Sequence, residues 1–319
     1  EASRALRVSA ARLPAPLSVG GVLALLIAPQ GGGSARTGQA EAFFGGRRRV
    51  RFSPRMIELS IADVLPQFPE FRVAVGLLTS LAPAEAPAPG IRALVHYVER
   101  DVQASLAERD LDKVPEINRW RAAFRAVERD AQAALAELEK LPEDDPRRAL
   151  YRATNAKKIV YRSSCEALLR KLKGGELLPR ALPLIDLCNT ISVRFRVAVS
   201  VNDLAALKQP LLFRYSGEGE RFLDASQEPP VEDLAPPREV VYADAEKLLS
   251  RRWNWRQDGR SLVKPDSREA VVAIETLEPD GETRLQGAIG LFRHHAEGGL
   301  GAKTQWAIAS KALPSVTLG

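Results

Sequence analysis

Four polar side chains lie in otherwise apolar segments, and their chemistry suits a small binding pocket. Asp186 and Asn189 are three residues apart in a segment with helical spacing, so they share one face of that helix. Asn254 lies between two tryptophans, and Glu275 follows the apolar run Val271–Ile274. Polar groups buried on such elements must be hydrogen-bonded. Together the four can hold an amine and a carbonyl and position a water; the alternative is a capped helix and packed strands with satisfied polar groups.

A second segment, Arg251–Gln257, combines basic and aromatic residues on one predicted strand, Ser250–Arg256. On a strand, Trp253 and Trp255 point to one face, and the arginines and Asn254 point to the other. Basic strands that carry aromatic side chains can bind single-stranded nucleic acid by stacking and charge. The alternative is that both tryptophans pack inward. The candidate RNA-binding residues are Arg251, Arg252, Trp253 and Arg256.

Several other chemistries have no signature in this sequence. There is no GxSxG elbow, HExxH motif, P-loop or paired CxxC. The two cysteines, Cys165 and Cys188, exclude a disulfide-stapled scaffold and favour buried, inert thiols over a nucleophile. Three histidines, two of them adjacent at His294 and His295, leave little for a metal site. We therefore expect no metal and no cofactor.

Most of the positive charge belongs to the N-terminal segment. The chain of 319 residues has a formal net charge of +6, and residues 1–50 hold seven arginines against two acidic residues. The rest of the chain is thus almost neutral, so its overall basicity is no argument for nucleic-acid binding.

Residues 1–50 are interpreted as a disordered or targeting extension. Abundant arginine and scarce acid are typical of an organelle transit peptide. A secretory signal would use Val22–Ala28 as its apolar centre, and a disordered tail is the third interpretation. The run Val22–Ala28 is far shorter than the roughly 20 apolar residues that a helix needs to span a membrane. We expect a cytoplasmic protein without a membrane partner, unless residues 1–50 direct it to an organelle.

Hydrophobic periodicity divides the remaining chain into strands and helices. The predicted strands are Met56–Ile61, Phe71–Leu81, Leu211–Tyr215, Glu239–Ala243, Ser250–Arg256, Ala270–Thr276 and Thr304–Ser310. The predicted helices are Ile91–Leu106, Pro115–Leu141, a helix capped by Ser163 and stopped by Gly174-Gly175, a helix that begins at Pro183, and Leu285–His295. This mixture predicts the α+β (mixed α/β) class, with one mixed sheet flanked by helices.

Three segments carry a resemblance to a known family. They are Tyr161–Arg170 (YRSSCEALLR), Leu178–Asn189 (LPRALPLIDLCN) and Arg251–Gln257 (RRWNWRQ). This combination resembles the B3/B4 domain, the editing and tRNA-associated domain of the bacterial phenylalanyl-tRNA synthetase beta subunit. It is most similar to free-standing proteins built from that domain, which carry YRSSxEALLRR, LPxxNPLVDxxNxxS and RRWNWRQ. The resemblance covers roughly residues 55–277; this chain has Leu182 where those proteins have the Asn of NP.

The resemblance implies roles for individual residues. In the synthetase, the domain hydrolyses tyrosine wrongly esterified to the phenylalanine tRNA, in a pocket with a Thr-Asn pair, a His and a Glu. Asn189 matches the pocket Asn, Cys188 replaces the Thr, Ser200 falls at the His, and Glu275 matches the Glu. The implied catalytic residues are Asn189 and Glu275, and the implied substrate-binding residues are Asp186, Cys188, Ser200 and Asn254.

Three functions from different classes follow. The first is an editing-like hydrolase that removes a wrong amino acid from tRNA by means of a positioned water. The second is a non-catalytic RNA- or tRNA-binding module, and the third is an enzyme that acts on a free amino acid or another small molecule in the same pocket. The expected partners are tRNA or aminoacyl-tRNA and an amino-acid-like ligand; the sequence carries no signal for an oligomeric state.

The expected domain organisation follows the same resemblance. A B3/B4-like domain spans residues 51–310, with a helical insertion at about 127–157 and a tail at 311–319. The insertion adds roughly thirty residues before Tyr161, and it is interpreted either as a surface arm or partner site or as a tolerated helical insertion.

Overall fold

The computed structural model describes residues 56–86, 88–152, 161–226 and 229–319. Within these ranges the chain folds as an α+β protein, which confirms the predicted class. Two larger sheets pack face to face, so the single mixed sheet of the prediction is replaced by two sheets. The predicted extension, residues 1–50, lies outside the described residues.

The four-stranded sheet is antiparallel throughout and has the order β11-β2-β10-β3. Its strands are β2 (Arg72–Thr79), β3 (Ala198–Asp203), β10 (Ala270–Thr276) and β11 (Lys303–Ala309). Every residue of β10 is buried because it lies between two strands and both faces of the sheet are covered. This explains the continuous apolar run in its sequence.

Four helices cover one face of this sheet. They are α1 (Pro89–Ala107), α4 (Ser164–Lys173), α5 (Pro183–Phe195) and α6 (Gly281–Leu300). Their apolar residues pack with Val199, Val201, Val272 and Ile274 of the sheet in one cluster, here named the helical core. The predicted capping box is confirmed, because the Ser163 Oγ accepts from the Glu166 N–H at 3.2 Å at the start of α4.

The six-stranded sheet covers the other face and has the order β12-β1-β4-β7-β8-β9. Its strands are β1 (Ile57–Ser60), β4 (Leu211–Tyr215), β7 (Val240–Ala243), β8 (Leu248–Arg251), β9 (Arg256–Gln257) and β12 (Ser315–Leu318). Only the β1–β4 pair is parallel. The predicted face of Val73, Val75 and Leu77 on β2 packs against this sheet in a second cluster, the inter-sheet core.

The remaining elements lie beside the two sheets. They are α2 (Pro115–Glu139), α3 (Pro146–Tyr151), β5 (Arg221–Asp224) and β6 (Val231–Leu234). Trp120 and Phe124 of α2 enter the inter-sheet core, whereas the later part of α2 packs with Tyr151 and Leu234 in a small separate cluster. The region interpreted as an insertion therefore packs on the β5–β6 ribbon, as far as the described residues show; residues 153–160 lie outside them.

The structure corrects two sequence interpretations. Ser250–Arg256 is not one strand: β8 ends at Arg251, a turn follows, and β9 contains only Arg256 and Gln257. Residues 311–319, interpreted as a tail, contain β12, which pairs antiparallel with β1 from Ser60–Ser315 to Ile57–Leu318.

The length and apolar character of the helices bear on membrane crossing. Among the residues that the structure describes, none of the helices combines the length and the apolar character that spanning a bilayer demands.

Candidate functional site

Glu275 is the most deeply buried acid of the predicted site. It lies on β10 opposite Ala198 of β3 and Val73 of β2, and it is 1% exposed. Strand alternation places it on the same face as Ala273, which belongs to the inter-sheet core, and not on the helical face. Its carboxyl group is therefore enclosed between the two sheets.

Burial controls the acidity of Glu275. Loss of hydration raises the pKa of its carboxyl group from an ordinary 4.5 to about 8, and the hydrogen bond from Asn254 opposes that rise. A group with this pKa exists in both protonation states near neutral pH. It can give or take a proton during a reaction.

Asn254 joins Glu275 to a helix N-terminus. Its Nδ2 donates to the Glu275 Oε2 at 3.0 Å, and its Oδ1 accepts from the backbone N–H of Ser164 at 3.4 Å. Ser164 is the first residue of α4, where unpaired N–H groups and the helix dipole provide partial positive charge. The amide thus orients the carboxyl group of Glu275 from the other side of the inter-sheet core.

A tight turn places Asn254 in this position. Arg252 and Trp253 have positive φ values of 45° and 65°, a region that side chains with a Cβ seldom adopt. The Trp253 N–H donates to the Val240 oxygen at 2.6 Å, and the Ser250 Oγ donates to the Trp253 oxygen. These bonds hold the backbone of β8 and the turn against β7.

Glu239 supports the same turn through ionic contacts. It is 1% exposed and accepts from the Nε and Nη2 of Arg251, each at 3.1 Å, and from the Arg252 N–H at 2.7 Å. Asp233 also binds the Arg251 guanidinium. The buried arginine is therefore neutralised by acids of the protein itself.

The four residues predicted to bind RNA do not form an exposed basic strand. Arg251 and Trp253 are 3% and 1% exposed. Arg252 pairs with Glu128 and lies over the Tyr161 ring at 3.2 Å, and Arg256 pairs with Asp224. Trp253 packs edge-on against three aromatic rings, those of Phe68, Phe71 and Trp120. These side chains are used inside the protein, and they present no stacking surface.

Asp186 and Asn189 lie three residues apart on α5, and their side chains have different contacts. The Asp186 Oδ1 accepts from the backbone N–H of Ala181 at 2.9 Å, just before the helix, and burial raises the pKa of Asp186. Asn189 is buried, and its Nδ2 has no partner among the described residues. No hydrogen bond within those ranges joins Asn189 to Glu275 or Asn254.

Cys188 packs in the helical core. Both thiols of the chain are buried and free, and burial raises the pKa of the Cys188 thiol and that of Cys165 above the usual range. Neither is a thiolate at neutral pH, so a nucleophilic role has no support.

Ser200 belongs to the Glu275 side of the sheet. It lies on β3 opposite Ala273 of β10, so its side chain is a diagonal neighbour of Glu275 on the same sheet face. Its buried Oγ has no partner among the described residues. The structure thus brings Ser200 and Asn254 to the surroundings of Glu275, while Asp186 and Cys188 have other contacts.

Two further polar groups were not predicted from the sequence. The Tyr242 hydroxyl and the Ser164 Oγ are buried and lack a partner in the described ranges. Ser164 belongs to a recognised capping sequence, which indicated a helix start and not a site. Tyr242 lies in an apolar strand, so only its hydroxyl distinguishes it from a core residue.

The hydroxyls of Ser200 and Ser164 are buried beside the Glu275–Asn254 pair and lack a protein partner in the described ranges. Such groups are nearly always hydrogen-bonded to protein or to ordered water. Around Glu275 and Asn254, a carboxyl group with a raised pKa lies beside polar groups that can donate and accept hydrogen bonds. Such groups supply the proton transfer that hydrolysis of an activated ester requires.

Known proteins are similar to this chain over part of its length. Residues 147–290 match the family model of the B3/4 domain, which confirms the resemblance inferred from the three motifs. One similar solved structure is an N-terminal fragment of the phenylalanyl-tRNA synthetase beta-subunit from Pyrococcus horikoshii. It is 14% identical, with a TM-score of 0.32, and the match covers 38% of this chain and 41% of that chain. Comparison with curated proteins finds no match.

Proposed function

We propose that this protein, whose residues 147–290 match the B3/4 domain, is an editing-like hydrolase that cleaves the ester of a mischarged aminoacyl-tRNA. The observation that carries this proposal is the buried Glu275, which accepts a hydrogen bond from Asn254 and has the unpaired Ser200 hydroxyl on the same sheet face. The three motifs support the substrate class, because their resemblance is to an editing domain.

The chemistry required is modest. An aminoacyl ester is already activated, so an oriented water and stabilisation of the developing oxyanion account for much of the rate. Glu275 in its ionised form takes a proton from the water as the oxygen attacks the ester carbon. The ribose oxygen then leaves and takes up that proton, which regenerates the carboxylate and releases the free amino acid and the tRNA.

Asn254 has the supporting role in this scheme. Its donation to Glu275 stabilises the ionised form, since the bond opposes the effect of burial on the pKa. Its oxygen is held by the α4 N-terminus, which keeps the amide from turning over. The reacting carboxyl group is thereby oriented before substrate binds.

The test is a deacylation assay with a panel of mischarged tRNAs. We expect ester cleavage above background for at least one amino acid, with a rate that rises with pH, is half-maximal near pH 8 and levels off about one pH unit higher, where Glu275 is mostly ionised. Glu275→Gln should lower the rate by at least about tenfold. Cleavage for no member of the panel would overturn the proposal.

A matched control separates chemistry from stability. Glu278 lies three residues after Glu275 and is also buried, and its carboxyl group pairs with the Arg119 Nε at 3.1 Å. Glu278→Gln should keep the wild-type rate; equal loss in both variants would contradict a special role for Glu275. Cleavage of aminoacyl-adenosine esters at the same efficiency as aminoacyl-tRNA would favour the small-molecule enzyme instead.

A further inference from the structure

A group of cationic side chains lies along the outer face of α4. Arg170 and Lys173 are exposed there and follow the buried Glu166 at spacings of four and three residues, so the three share one face of the helix. Arg162 precedes the helix cap, and Arg121 contacts the same acid from α2. This group is named the α4 basic surface, and its members are Arg121, Arg162, Arg170 and Lys173.

One buried carboxylate joins the three arginines of this surface. Glu166 is 1% exposed, and its Oε1 accepts from the Arg121 Nη2 at 2.8 Å and from the Arg170 Nε at 2.9 Å. The Arg162 Nε lies 3.8 Å from the same oxygen. The second acid is Asp112, 68% exposed, which lies 2.8 Å from the Arg121 Nη1. Glu166 therefore holds three guanidinium groups close together at the surface of the protein.

The positive charge of the surface exceeds the negative charge of its two acids. The Lys173 Nζ donates to the backbone oxygen of Arg109 at 2.5 Å, so this bond leaves its charge unopposed. Three arginines and Lys173 are thus set against Glu166 and Asp112, which leaves a surplus of two positive charges. The surplus persists although the body of the chain as a whole is almost neutral.

Neutralising Glu166 does not require all three arginines. Arg121 alone binds its carboxylate in bidentate geometry, with the Nε and the Nη2 on different oxygens. The side chains of Arg162 and Arg170 are 35% and 42% exposed, and their Nη groups donate no hydrogen bond within the described ranges. A guanidinium group offers its remaining N–H groups as a fork that matches two oxygens of a phosphate. Both arginines are therefore available to an anion outside the protein.

The α4 basic surface begins beside the Glu275 site. Ser164, two residues after Arg162, donates its N–H to Asn254, which in turn binds Glu275. An α-helix rises about 1.5 Å per residue, so Lys173 lies about 14 Å from Ser164 along the axis of α4. A nucleic-acid strand that ends at Glu275 can continue along this face of the helix with its phosphates on the arginines.

We infer that the α4 basic surface binds the phosphate backbone of the nucleic-acid strand whose terminal ester is cleaved at Glu275. For the ester, this inference rests on the proposed function; for the phosphates, it rests on the exposed guanidinium groups of Arg162 and Arg170. A phosphodiester backbone fits because its charges repeat along a line and each phosphate offers two oxygens to one guanidinium. The contact with RNA thus moves to α4 from the segment Arg251–Gln257, whose arginines pair with acids of the protein itself.

The first test measures binding in the absence of an ester. The probes are unacylated tRNA and a short fluorescent single-stranded RNA, titrated at several KCl concentrations. The double variant Arg162→Gln/Arg170→Gln should weaken binding by about tenfold and lower the slope of log Kd against log[KCl] by about 1.4, because each phosphate contact on a single strand contributes about 0.7. Arg121 stays in place, so Glu166 keeps its bidentate partner. Unchanged affinity and slope would overturn the inference.

Two control variants separate phosphate contact from a general loss of charge. Arg147 and Arg221 are about half exposed and lie on α3 and β5, outside the helical core. Arg147→Gln/Arg221→Gln removes the same charge and should keep the affinity within about twofold of the wild type. Arg162→Lys/Arg170→Lys keeps the charge and should retain most of the salt slope. Equal losses in the two glutamine variants would show unspecific attraction and contradict the inference.

The second test compares substrates with and without phosphates. Aminoacyl-adenosine esters carry the reacting bond and lack the backbone that the arginines are inferred to bind. Arg162→Gln/Arg170→Gln should therefore lower the preference for aminoacyl-tRNA over the adenosine ester, measured as a ratio of kcat/KM values, by about tenfold, mainly through KM. An unchanged ratio would overturn the inference, because it would mean that any loss arises at the Glu275 site and not along α4.

The inference and the proposed function can fail separately. RNA binding that requires Arg162 and Arg170, without cleavage of any mischarged tRNA, supports the surface and rejects the hydrolase. Cleavage that depends on Glu275, with RNA binding that ignores both arginines, supports the hydrolase and rejects the surface. Binding of phosphatidylserine vesicles in place of RNA would assign the surface to a membrane and likewise overturn the inference.

Discussion

At the scale of single residues, Glu275 combines a functional property with an energetic cost. The pKa of Glu275 in the folded protein, about 8, lies above the ordinary value of 4.5. Glu275 therefore contributes most to stability at pH values where it is protonated in both the folded and the unfolded chain. As pH rises above 4.5, the unfolded chain releases its proton while the folded protein keeps it. Stability is therefore lost progressively until pH reaches about 8.

Glu275→Gln should remove this pH dependence. Between pH 4.5 and 8, we expect the free energy of unfolding of the wild type to fall relative to that of the variant, by up to about 1.4 kcal/mol per pH unit. Urea unfolding at intervals of half a pH unit from pH 4 to 9 measures this difference in the free energy of unfolding. The exposed Glu282→Gln provides the control and should follow the wild type; a Glu275→Gln curve parallel to the wild type would contradict the expectation.

Sequence reasoning reached some of these residues and not others, for a physical reason. Glu275 and Asn254 stand out because a polar side chain within an apolar run is conspicuous, and the structure joins them by a hydrogen bond. Tyr242 is a common strand residue, and only the structure shows that its buried hydroxyl lacks a partner among the described residues. Cys188 occupies a matched motif position, yet its packing depends on the face of α5 that contacts the helical core.

At the scale of elements, the turn after β8 depends on Glu239. Glu239→Gln should weaken the bidentate pair and leave Arg251, which is 3% exposed, with the half-exposed Asp233 as its ionic partner. Breaking a buried pair from one side costs about 3–5 kcal/mol. Thermal or urea unfolding should show this loss, and deacylation should fall with it if the turn orients Asn254.

The control for that variant is an ion pair on the surface. Glu232 binds Arg221 at 2.9 Å, with both side chains about half exposed. Glu232→Gln should change stability by no more than about 1 kcal/mol. Similar losses in the two variants would show that burial of Arg251 does not govern the stability of the turn.

A second expectation concerns the contact of β2 with β11. Gly76 lies opposite Trp306, and a Cβ on Gly76 would come within 2.6 Å of the indole ring. Gly76→Ala should therefore destabilise the protein by about 1–3 kcal/mol, because a packed core resists added volume. Gly90→Ala, in the first turn of α1 with open space around it, should be neutral or slightly stabilising; equal effects on the unfolding midpoint would contradict the steric argument.

The elements themselves were predictable where periodicity was clear. Alternation and helical spacing located most strands and helices within a few residues. β3 was missed because α5 ends at Arg196 in the left-handed conformation, where glycine usually marks the helix end. The predicted strand Ser250–Arg256 was wrong because positive φ at Arg252 and Trp253 has no signature in their residue types.

At the scale of the whole molecule, the two sheets are linked by the short connection between β11 and β12. β11 is an edge strand of the four-stranded sheet and β12 an edge strand of the six-stranded sheet. The turn between them is closed by hydrogen bonds that join the backbone groups of Ser310 and Leu313. Residue types could not reveal β12, since a four-residue strand becomes recognisable only through its pairing with β1.

Removal of the residues after Ser310 should therefore destabilise the whole molecule. The truncation withdraws the buried side chains of Val316 and Leu318, worth about 3–6 kcal/mol together, and leaves β1 as an unpaired edge. We expect a lower thermal midpoint and more aggregation. Thr317→Ala, at an exposed position of the same strand, should stay within about 0.5 kcal/mol of the wild type; a truncated protein as stable as the wild type would contradict the structural role of β12.

The order of these elements along the chain bears on biosynthesis. A ribosome has made both Glu275 and Asn254 before it reaches Lys303, the first residue of β11. One edge strand of each sheet, β11 and β12, is therefore made after these residues, and neither sheet has all its strands until residues 303–318 are translated. A nascent chain stalled before that point carries Glu275 and Asn254 in two sheets that each lack an edge strand.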